Sequence, residues 1–374
     1  MAQQTPNPDR STFQPGQQPI GDIDLAQLGS HCQVIDVRSP IEFEQDHLPG
    51  ARNIPLLEDR ERAVVGTLYR TEGKDSANDW ALQAVQSRSG EFLQALLDNI
   101  DRQQEPVICC ARGGDRSGNV VQFLNHHDIS ARRLTGGYRS YRKQVMERLD
   151  QIDIPQLWIL DGLTGAGKTR VLHEISTEFP GRVLDLEAYA GHRSSILGDV
   201  GMTPTRQKTF ESLLVGAIGR LEVDAPWVLI EGESRKVGDR QIPDKLWQQM
   251  QVSPRIELVQ DIETRARLLV EEYRTETNWD PLIVRLESLR GYDPLGSKGV
   301  DEVQTLLRND QPMEAAIILL ERHYDPRYLH GSEQKDFRFS IEEPSLEVAC
   351  QQIVAKLEDQ GRGALSEKRP VDRK

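Results

Sequence analysis

The sequence predicts an α/β protein built from two parallel-sheet units. Twice along the chain an apolar strand runs through a glycine-containing loop into a helix, first over residues 107–117 and again over residues 156–169. Strands that alternate with helices in this way form parallel sheets. With 374 residues, of which 37% are hydrophobic, the chain is long enough to form two cores.

The composition excludes several classes of protein. No apolar run approaches the roughly eighteen residues that a membrane span needs. Four cysteines, two of them adjacent, do not form a disulfide framework, so we expect a cytoplasmic protein. Residues 1–20 are rich in Gln and Pro and resemble neither a signal peptide nor a folded segment, so we expect a disordered tail. A net charge of −13 argues against general affinity for nucleic acid.

The first strand–loop–helix passage places a cysteine in a loop suited to an anion. Five residues separate Cys110 from Arg116. The backbone N–H groups of such a loop can surround a tetrahedral anion, and the helix that follows adds positive potential. The same field lowers a thiol pKa, which predicts Cys110 as a nucleophile. The residues predicted to hold the anion are Arg112, Gly113, Gly114 and Arg116.

The second passage is a complete P-loop pattern, Gly-Leu-Thr-Gly-Ala-Gly-Lys-Thr, between an apolar strand and a helix. Glycines let the backbone approach phosphate oxygens, Lys168 neutralises the terminal phosphates and Thr169 can ligate Mg²⁺. The predicted phosphate-binding residues are Gly162, Gly165, Gly167, Lys168 and Thr169.

Carboxylates follow two later strands of the second unit. In P-loop proteins, acidic groups at such strand ends position Mg²⁺ or a water molecule. The residues predicted for this role, or for positioning substrate, are Asp185, Glu231, Glu233 and Arg235, and they do not define a certain metal site. The remainder predicts a helical C-terminal extension over residues 261–360 and a loose tail over 361–374.

The first unit resembles the rhodanese-like domain. The resemblance rests on Asp36-Val-Arg38, Glu42-Phe43, Gly50-Ala51, Asn53-Ile-Pro55 and the later Gly136-Gly-Tyr138. It implies a rhodanese-like domain over residues 21–148, followed by a P-loop NTPase-like domain over residues 152–260. Asp36 and Arg38 are expected to be structural. The cysteine loop is one residue longer than in ordinary rhodaneses and carries Asp115 before Arg116, as in phosphatases that share the fold, so a phosphatase remains an alternative.

The pairing of this cysteine loop with a P-loop resembles the tRNA 2-selenouridine synthase family. The match includes Cys109-Cys110, His192-Arg-Ser-Ser195, Glu231-Gly-Glu-Ser-Arg235 and Tyr324-Asp-Pro326. The resemblance implies conversion of wobble 2-thiouridine to 2-selenouridine. The sulfur is first geranylated from geranyl diphosphate and then replaced by selenium from selenophosphate. Cys110 would accept selenium as a perselenide or act directly at the uridine.

The implied partners are tRNA, through its wobble uridine, and the enzyme that produces selenophosphate, with no membrane. Geranyl diphosphate and selenophosphate are expected as substrates, Mg²⁺ is compatible with the P-loop, and no tightly bound cofactor is expected. A basic cluster beside the cysteine loop is either a solvated helix face or a tRNA contact in which Tyr138 and Tyr141 stack on bases. The predicted contact residues are Arg132, Arg133, Tyr138, Arg139, Arg142 and Lys143.

Two alternatives to the transferase remain open on the residues alone. One is a P-loop kinase or NTPase fused to a rhodanese-fold sulfurtransferase, which would turn over nucleotide without tRNA. The other is a rhodanese-fold phosphatase, which would release phosphate from aryl or protein phosphates through Cys110. Cys109 neighbours Cys110 but points to the other face of the strand, so we expect it to pack in the core.

Overall fold

The structure is a computed structural model that describes residues 20–274, 279–292, 294–327 and 336–367, with side chains up to residue 361. The chain divides between Glu147 and Arg148 into two compact units. Residues 1–19 of the predicted disordered tail and residues 368–374 of the predicted loose tail lie outside the described residues. Ile20, the last residue of the predicted N-terminal tail, packs against the core of the first unit.

A five-stranded parallel sheet in the order β1-β5-β4-β2-β3 forms the centre of the first unit. Val107 and Ile108 on β4 are fully buried, as their position before the cysteine loop predicts. The strands are β1 (Gly21–Ile23), β2 (Cys32–Asp36), β3 (Arg52–Asn53), β4 (Glu105–Cys109) and β5 (Arg132–Leu134).

Among the described residues, six α-helices accompany this sheet. In the first helix, Pro40 occupies the first position and the N–H of Ser39 donates to the carboxylate of Glu42. Three helices lie between Leu56 and Glu105. The helices are α1 (Pro40–Gln45), α2 (Asp59–Thr71), α3 (Lys74–Gln86), α4 (Ser89–Asn99), α5 (Asp115–His126) and α6 (Gly137–Asp150).

The second unit contains another five-stranded parallel sheet, in the order β12-β11-β6-β8-β7, and a separate antiparallel pair, β9-β10. Every residue of β6, the strand before the P-loop, is buried, which is typical of a parallel sheet covered on both faces. The strands are β6 (Leu157–Asp161), β7 (Val183–Leu184), β8 (Val228–Glu231), β9 (Lys236–Val237), β10 (Arg240–Gln241), β11 (Arg255–Val259) and β12 (Phe337–Glu342).

The helices of the second unit form two apolar clusters. One packs α7 and α15 on the sheet around Leu160 and Ile353, and the other joins α11, α12, α13 and α14 around Leu286 and Val303. These helices are α7 (Lys168–Glu178), α8 (Leu186–Ala190), α9 (Gln207–Ile218), α10 (Asp244–Val252), α11 (Ile262–Tyr273), α12 (Asp280–Arg285), α13 (Gly296–Arg308), α14 (Pro312–Leu319) and α15 (Leu346–Glu367). Within the described ranges, no helix is both long and apolar enough to cross a membrane.

The structure corrects the predicted C-terminal extension in two places. Residues 261–360 are not purely helical, because β12 lies among them and pairs in parallel with β11. Its alternation of Phe337, Phe339 and Ile341 with polar residues is a strand pattern that the helical prediction overlooked. The loose tail predicted from residue 361 also begins too early, since α15 continues to Glu367.

Candidate functional site

The two adjacent cysteines at the end of strand β4 lie on opposite sides of the first sheet. Cys109 packs in the apolar cluster that contains Ile23 and Val34, whereas Cys110 belongs to the cluster on the other side with Ile35. The strand alternation predicted this separation, and it is confirmed. Burial, followed by the nearby charge of Asp36, raises the pKa of Cys109 well above its ordinary value. Cys109 is therefore a neutral core side chain.

Cys110 lies in the opposite electrostatic environment. Burial alone would raise its pKa, but hydrogen bonds to the sulfur and the charge of Arg116 outweigh this and lower the pKa. The Ser117 hydroxyl lies 3.1 Å from the sulfur, and the backbone of Arg112 also hydrogen-bonds to it. The arrangement stabilises a thiolate at the base of the loop, as predicted for a nucleophile.

The cysteine loop is closed by a backbone contact with the start of α6. The N–H of Tyr138 donates to the carbonyl of Cys110 at 2.9 Å, and that of Arg139 donates to the carbonyl of Ala111 at 3.0 Å. A Cβ at Gly137 would lie 2.1 Å from the Cys110 carbonyl oxygen, so only glycine fits there. The segment that begins with the Gly-Gly-Tyr motif thus fixes the backbone of the cysteine loop through these hydrogen bonds.

Arg116, predicted to hold an anion, is oriented by an acidic partner. Its Nη1 lies 3.1 Å from the carboxylate of Glu42, which Arg62 of α2 approaches at 3.4 Å. Burial would raise the pKa of Glu42, but the Arg116 and Arg62 charges together lower it. Arg112 is exposed at the loop surface. Helix α2 therefore borders the cysteine loop, and the Arg62 guanidinium lies on the same carboxylate as that of Arg116.

The basic cluster predicted to contact tRNA is largely paired within the protein. Arg132 forms an ion pair with Glu105, Arg133 with Asp22 at 2.7 Å, and Lys143 with Glu147 at 3.5 Å. Arg139 and Lys143 are exposed, while Arg142 is half-buried and donates to the sulfur of Met146. These pairs leave the cluster less positive than its composition suggests.

Tyr138 has structural contacts within the first unit, and its stacking on bases stays a prediction. Its hydroxyl donates to Asp46 at 3.0 Å, and the guanidinium of Arg38 covers its ring at 3.9 Å. Arg38 in turn donates to both carboxylate oxygens of Asp36, and both residues are buried. The structural role predicted for Asp36 and Arg38 is therefore confirmed. Tyr141 packs beside the apolar cluster of Cys109.

The P-loop has the backbone conformation that its glycines predict. Gly162, Gly165 and Gly167 all have positive φ, at 153°, 79° and 88°. Lys168 begins α7, and its ammonium donates to the carbonyl of Gly162 at 2.8 Å. The loop can therefore present its N–H groups and the helix N-terminus to phosphate oxygens.

Glu187 is a residue of this site that the sequence interpretation missed. The hydroxyl of Thr169 donates to its carboxylate at 2.9 Å, and the N–H of Ser194 donates to its other oxygen at 2.6 Å. Its own N–H donates to Glu231 at 2.7 Å. The signal in the sequence was the Asp-Leu-Glu run after β7, from which Asp185 alone was chosen. Asp185 instead accepts the N–H of Ala188 at the start of α8.

The carboxylates at the ends of β7 and β8 form a cluster with unfavourable charge. Glu231 is 2% exposed, and burial followed by the charges of Asp185 and Glu187 raises its pKa well above the ordinary value. Burial, followed by the negative charge of Glu187, raises the pKa of Glu233 to about 8. Burial also raises the pKa of Asp185. Such a cluster of oxygens beside Thr169 suits a divalent cation.

Arg235 does not join this cluster. Its guanidinium pairs with Asp244 at the start of α10 and lies 5.8 Å from the ring of Trp247. Its predicted role beside Glu231 and Glu233 is therefore not supported by its contacts. A different arginine fixes the loop, since Arg265 of α11 donates to the carbonyl of Thr164 at 2.9 Å and pairs with Asp325.

Comparison with known proteins agrees with the fold of both units. The family model of the rhodanese-like domain matches residues 23–144, and the model of the tRNA 2-selenouridine synthase AAA domain matches residues 155–287. A tRNA 2-selenouridine synthase of Nitrosomonas europaea is 36% identical, over 68% of this chain and 67% of that protein. Proteins of the same description from Cupriavidus necator and Nitrosomonas eutropha are 31% and 30% identical. These alignments cover 83% and 90% of this chain, and 90% and 84% of those proteins. The chain belongs to the tRNA 2-selenouridine synthase family.

Proposed function

We propose that this chain is a tRNA-modifying transferase that converts wobble 2-thiouridine to 2-selenouridine in two steps, with an S-geranyl intermediate. The observation that carries the proposal is a thiol of lowered pKa in an anion-binding loop on the same chain as a complete P-loop. Membership of the family supplies tRNA as the substrate. The enzyme that produces selenophosphate is a proposed partner.

The first step is assigned to the P-loop unit. The diphosphate of geranyl diphosphate would bind the loop N–H groups and Lys168. The sulfur of 2-thiouridine attacks C1 of the geranyl group, the S–C1 bond forms and the C1–O bond breaks. Diphosphate leaves with the electron pair, and the N3 proton of the uridine is released. Lys168 and the helix N-terminus would stabilise the charge that develops on the leaving diphosphate.

A Mg²⁺ ion fits the residues beside the P-loop. Thr169 and Glu187 would hold it, with the buried carboxylate of Glu231 behind them. One oxygen of Glu231 is buried without a hydrogen-bond partner, which agrees with a missing positive charge. When bound, the ion would neutralise diphosphate oxygens.

The second step is assigned to the cysteine loop, which would bind selenophosphate. The Cys110 thiolate attacks phosphorus, the S–P bond forms, the P–Se bond breaks and selenium leaves with the electron pair as hydroselenide. Hydroselenide attacks C2 of the geranylated base, geranyl thiolate leaves, and the selenium proton moves to N3. Water then hydrolyses the phosphocysteine to phosphate and restores Cys110. The Ser117 hydroxyl, 3.1 Å from the sulfur, would stabilise the departing thiolate.

The test is a staged reaction of the purified protein with tRNA that carries 2-thiouridine. Geranyl diphosphate alone should give the S-geranyl nucleoside and diphosphate, and later addition of selenophosphate should give 2-selenouridine, geranylthiol and phosphate. Mass analysis of the nucleosides after each addition checks both steps. Unchanged tRNA after both additions would overturn the proposal.

An activity assay on the same purified protein distinguishes a transferase from a phosphatase. The long cysteine loop and the lowered pKa of Cys110 also suit a phosphatase. A phosphatase would hydrolyse an aryl phosphate rapidly without tRNA, whereas we expect the transferase to leave it nearly unchanged.

A further inference from the structure

The first unit contains an open groove beside the cysteine loop, between α1 and α2. This α1–α2 groove has a volume of about 540 Å³. We propose that it binds the phosphate backbone of the tRNA anticodon loop. The inference rests on the proposed function and adds to it the surface that positions the RNA. The lining includes Ile41, Glu42, Asp59, Arg62, Gly66 and Arg70.

The groove and the cysteine loop share one wall, the carboxylate of Glu42. Nη1 of Arg116 in the loop lies 3.1 Å from one oxygen of this carboxylate, and Nε of Arg62 in the groove lies 3.4 Å from the same oxygen. One carboxylate thus orients two guanidinium groups, which leaves a positive charge in excess. RNA held in the groove therefore lies next to the anion-binding loop of Cys110.

The arginines of the groove are less neutralised than those of the basic cluster after the cysteine loop. Arg70 is exposed, its Nε donates to the carbonyl of Gly66 at 3.2 Å, and it forms no ion pair within the described part of the chain. The second acidic residue of the groove, Asp59, already accepts the N–H of Ile41 at 3.0 Å. Exposed guanidinium groups of this kind bind RNA phosphates.

A glycine of α2 keeps the groove open. Gly66 lies four residues from both Arg62 and Arg70, so the three positions share one face of the helix. A Cβ at Gly66 would lie 3.0 Å from Nη1 of Arg62 and would press on the guanidinium. Glycine destabilises a helix interior relative to alanine, so its position here indicates that this space matters. The volume of the groove falls in the roughly 300–1,000 Å³ range of small-molecule pockets, which suits a nucleotide.

An exposed aromatic side chain lies beside the groove on the same helix face. Tyr69 is 59% exposed and follows Arg62 by about two helical turns. It lies close to Lys74, whose ammonium pairs with Asp115 of the cysteine loop at 2.9 Å. Aromatic rings and arginines together are typical of surfaces that bind single-stranded RNA, because the rings stack on unpaired bases. Tyr69 and Arg70 thus offer RNA a stacking ring and a phosphate contact.

The test measures binding of an anticodon stem-loop RNA with wobble 2-thiouridine to the full-length protein and its variants over a range of salt concentrations. Arg70→Ala should weaken binding several-fold and reduce the slope of log affinity against log salt by about one, because one phosphate contact is lost. Tyr69→Ala should weaken binding roughly ten-fold, and Tyr69→Phe should retain it because the ring is kept. Arg102→Ala is the matched control, since Arg102 is exposed and precedes β4, at the opposite end of that strand from the cysteine loop.

Inorganic phosphate distinguishes an RNA site from a site for the small anion. Protection of Cys110 by inorganic phosphate against alkylation with iodoacetamide should be equal in Arg70→Ala and in the unchanged protein. If Arg70→Ala weakens this protection and leaves RNA binding unchanged, the groove serves the small anion and the inference is overturned. Thermal unfolding of every variant checks that weaker binding does not come from loss of folded protein.

The outcomes separate this inference from the proposed function. If Arg70→Ala and Tyr69→Ala bind and modify the RNA like the unchanged protein, the groove assignment is overturned and the function stands. If the unchanged protein neither binds nor modifies the RNA, the proposed function itself is wrong. Weaker RNA binding by both variants, with Arg102→Ala unaffected, supports the groove.

Discussion

The cysteine loop and the P-loop have the same local design but opposite electrostatic requirements. Each follows a buried parallel strand and leads into a helix N-terminus, α5 in one unit and α7 in the other. At the first loop, hydrogen bonds and Arg116 lower the pKa of Cys110, so negative charge is already stabilised. At the second loop, burial and neighbouring negative charges raise the pKa values of Glu231 and Glu233, so a bound cation would stabilise their ionised forms.

This difference indicates how the two loops divide the chemistry. A stabilised thiolate can form a covalent bond with an electrophile such as phosphorus. The P-loop has a cation, Lys168, and a cluster of oxygens near Thr169, which suit binding and release of diphosphate with a metal ion.

The largest effect is expected from Cys110→Ser. A serine hydroxyl is not ionised in this environment, so selenation should fall by about a thousand-fold or more, while geranylation continues. Mass analysis of the nucleosides should show accumulation of the S-geranyl form. Cys109→Ala is the matched control, since Cys109 packs in the core and should alter stability more than rate. Normal selenation by Cys110→Ser would end the nucleophile assignment.

Removal of the P-loop cation should affect the other step. Lys168→Ala should weaken geranyl diphosphate and inorganic diphosphate binding alike, by roughly a hundred-fold, because both lose the same charge-assisted contact. Calorimetric titration measures both affinities. The exposed Lys245 of α10 offers a control for loss of one positive charge. Unaltered diphosphate affinity in Lys168→Ala would place the donor elsewhere.

Ser117→Ala should act on the cysteine loop alone. Loss of the hydroxyl 3.1 Å from the sulfur should raise the pKa of Cys110, because the thiolate loses a hydrogen bond. The pH profile of alkylation by iodoacetamide should then shift upward, and selenation at neutral pH should fall about ten-fold. Ser30→Ala, at an exposed position of the same unit, should leave the profile in place. An unshifted profile in Ser117→Ala would contradict this role.

The smallest effect is a pH dependence at the P-loop. Burial and the charge of Glu187 raise the pKa of Glu233 to about 8, so Glu233 becomes negatively charged as pH rises through 8, and this added charge near Glu187 should increase Mg²⁺ affinity several-fold. Folded Glu233 retains a proton that the unfolded chain releases above its ordinary pKa of 4.5, so stability contributed by this group falls from pH 4.5 to 8. Glu233→Gln should flatten both dependences. Mg²⁺ titrations and thermal unfolding at several pH values test this.

The sequence alone determined the local parts of both sites. Cys110, the glycines of the two loops, Lys168 and Thr169 were predictable because strand, loop and helix are contiguous, and the loop geometry depends on neighbouring residues. Alternation along β4 likewise predicted that Cys109 and Cys110 separate.

Only the tertiary structure decided which distant groups complete these sites. Glu187 reaches Thr169 across 18 positions, Arg265 reaches Thr164 across 101, and Tyr138 reaches Asp46 across 92. Periodicity and turn chemistry report on a few neighbouring residues, whereas these contacts depend on how helices and loops pack on the sheets.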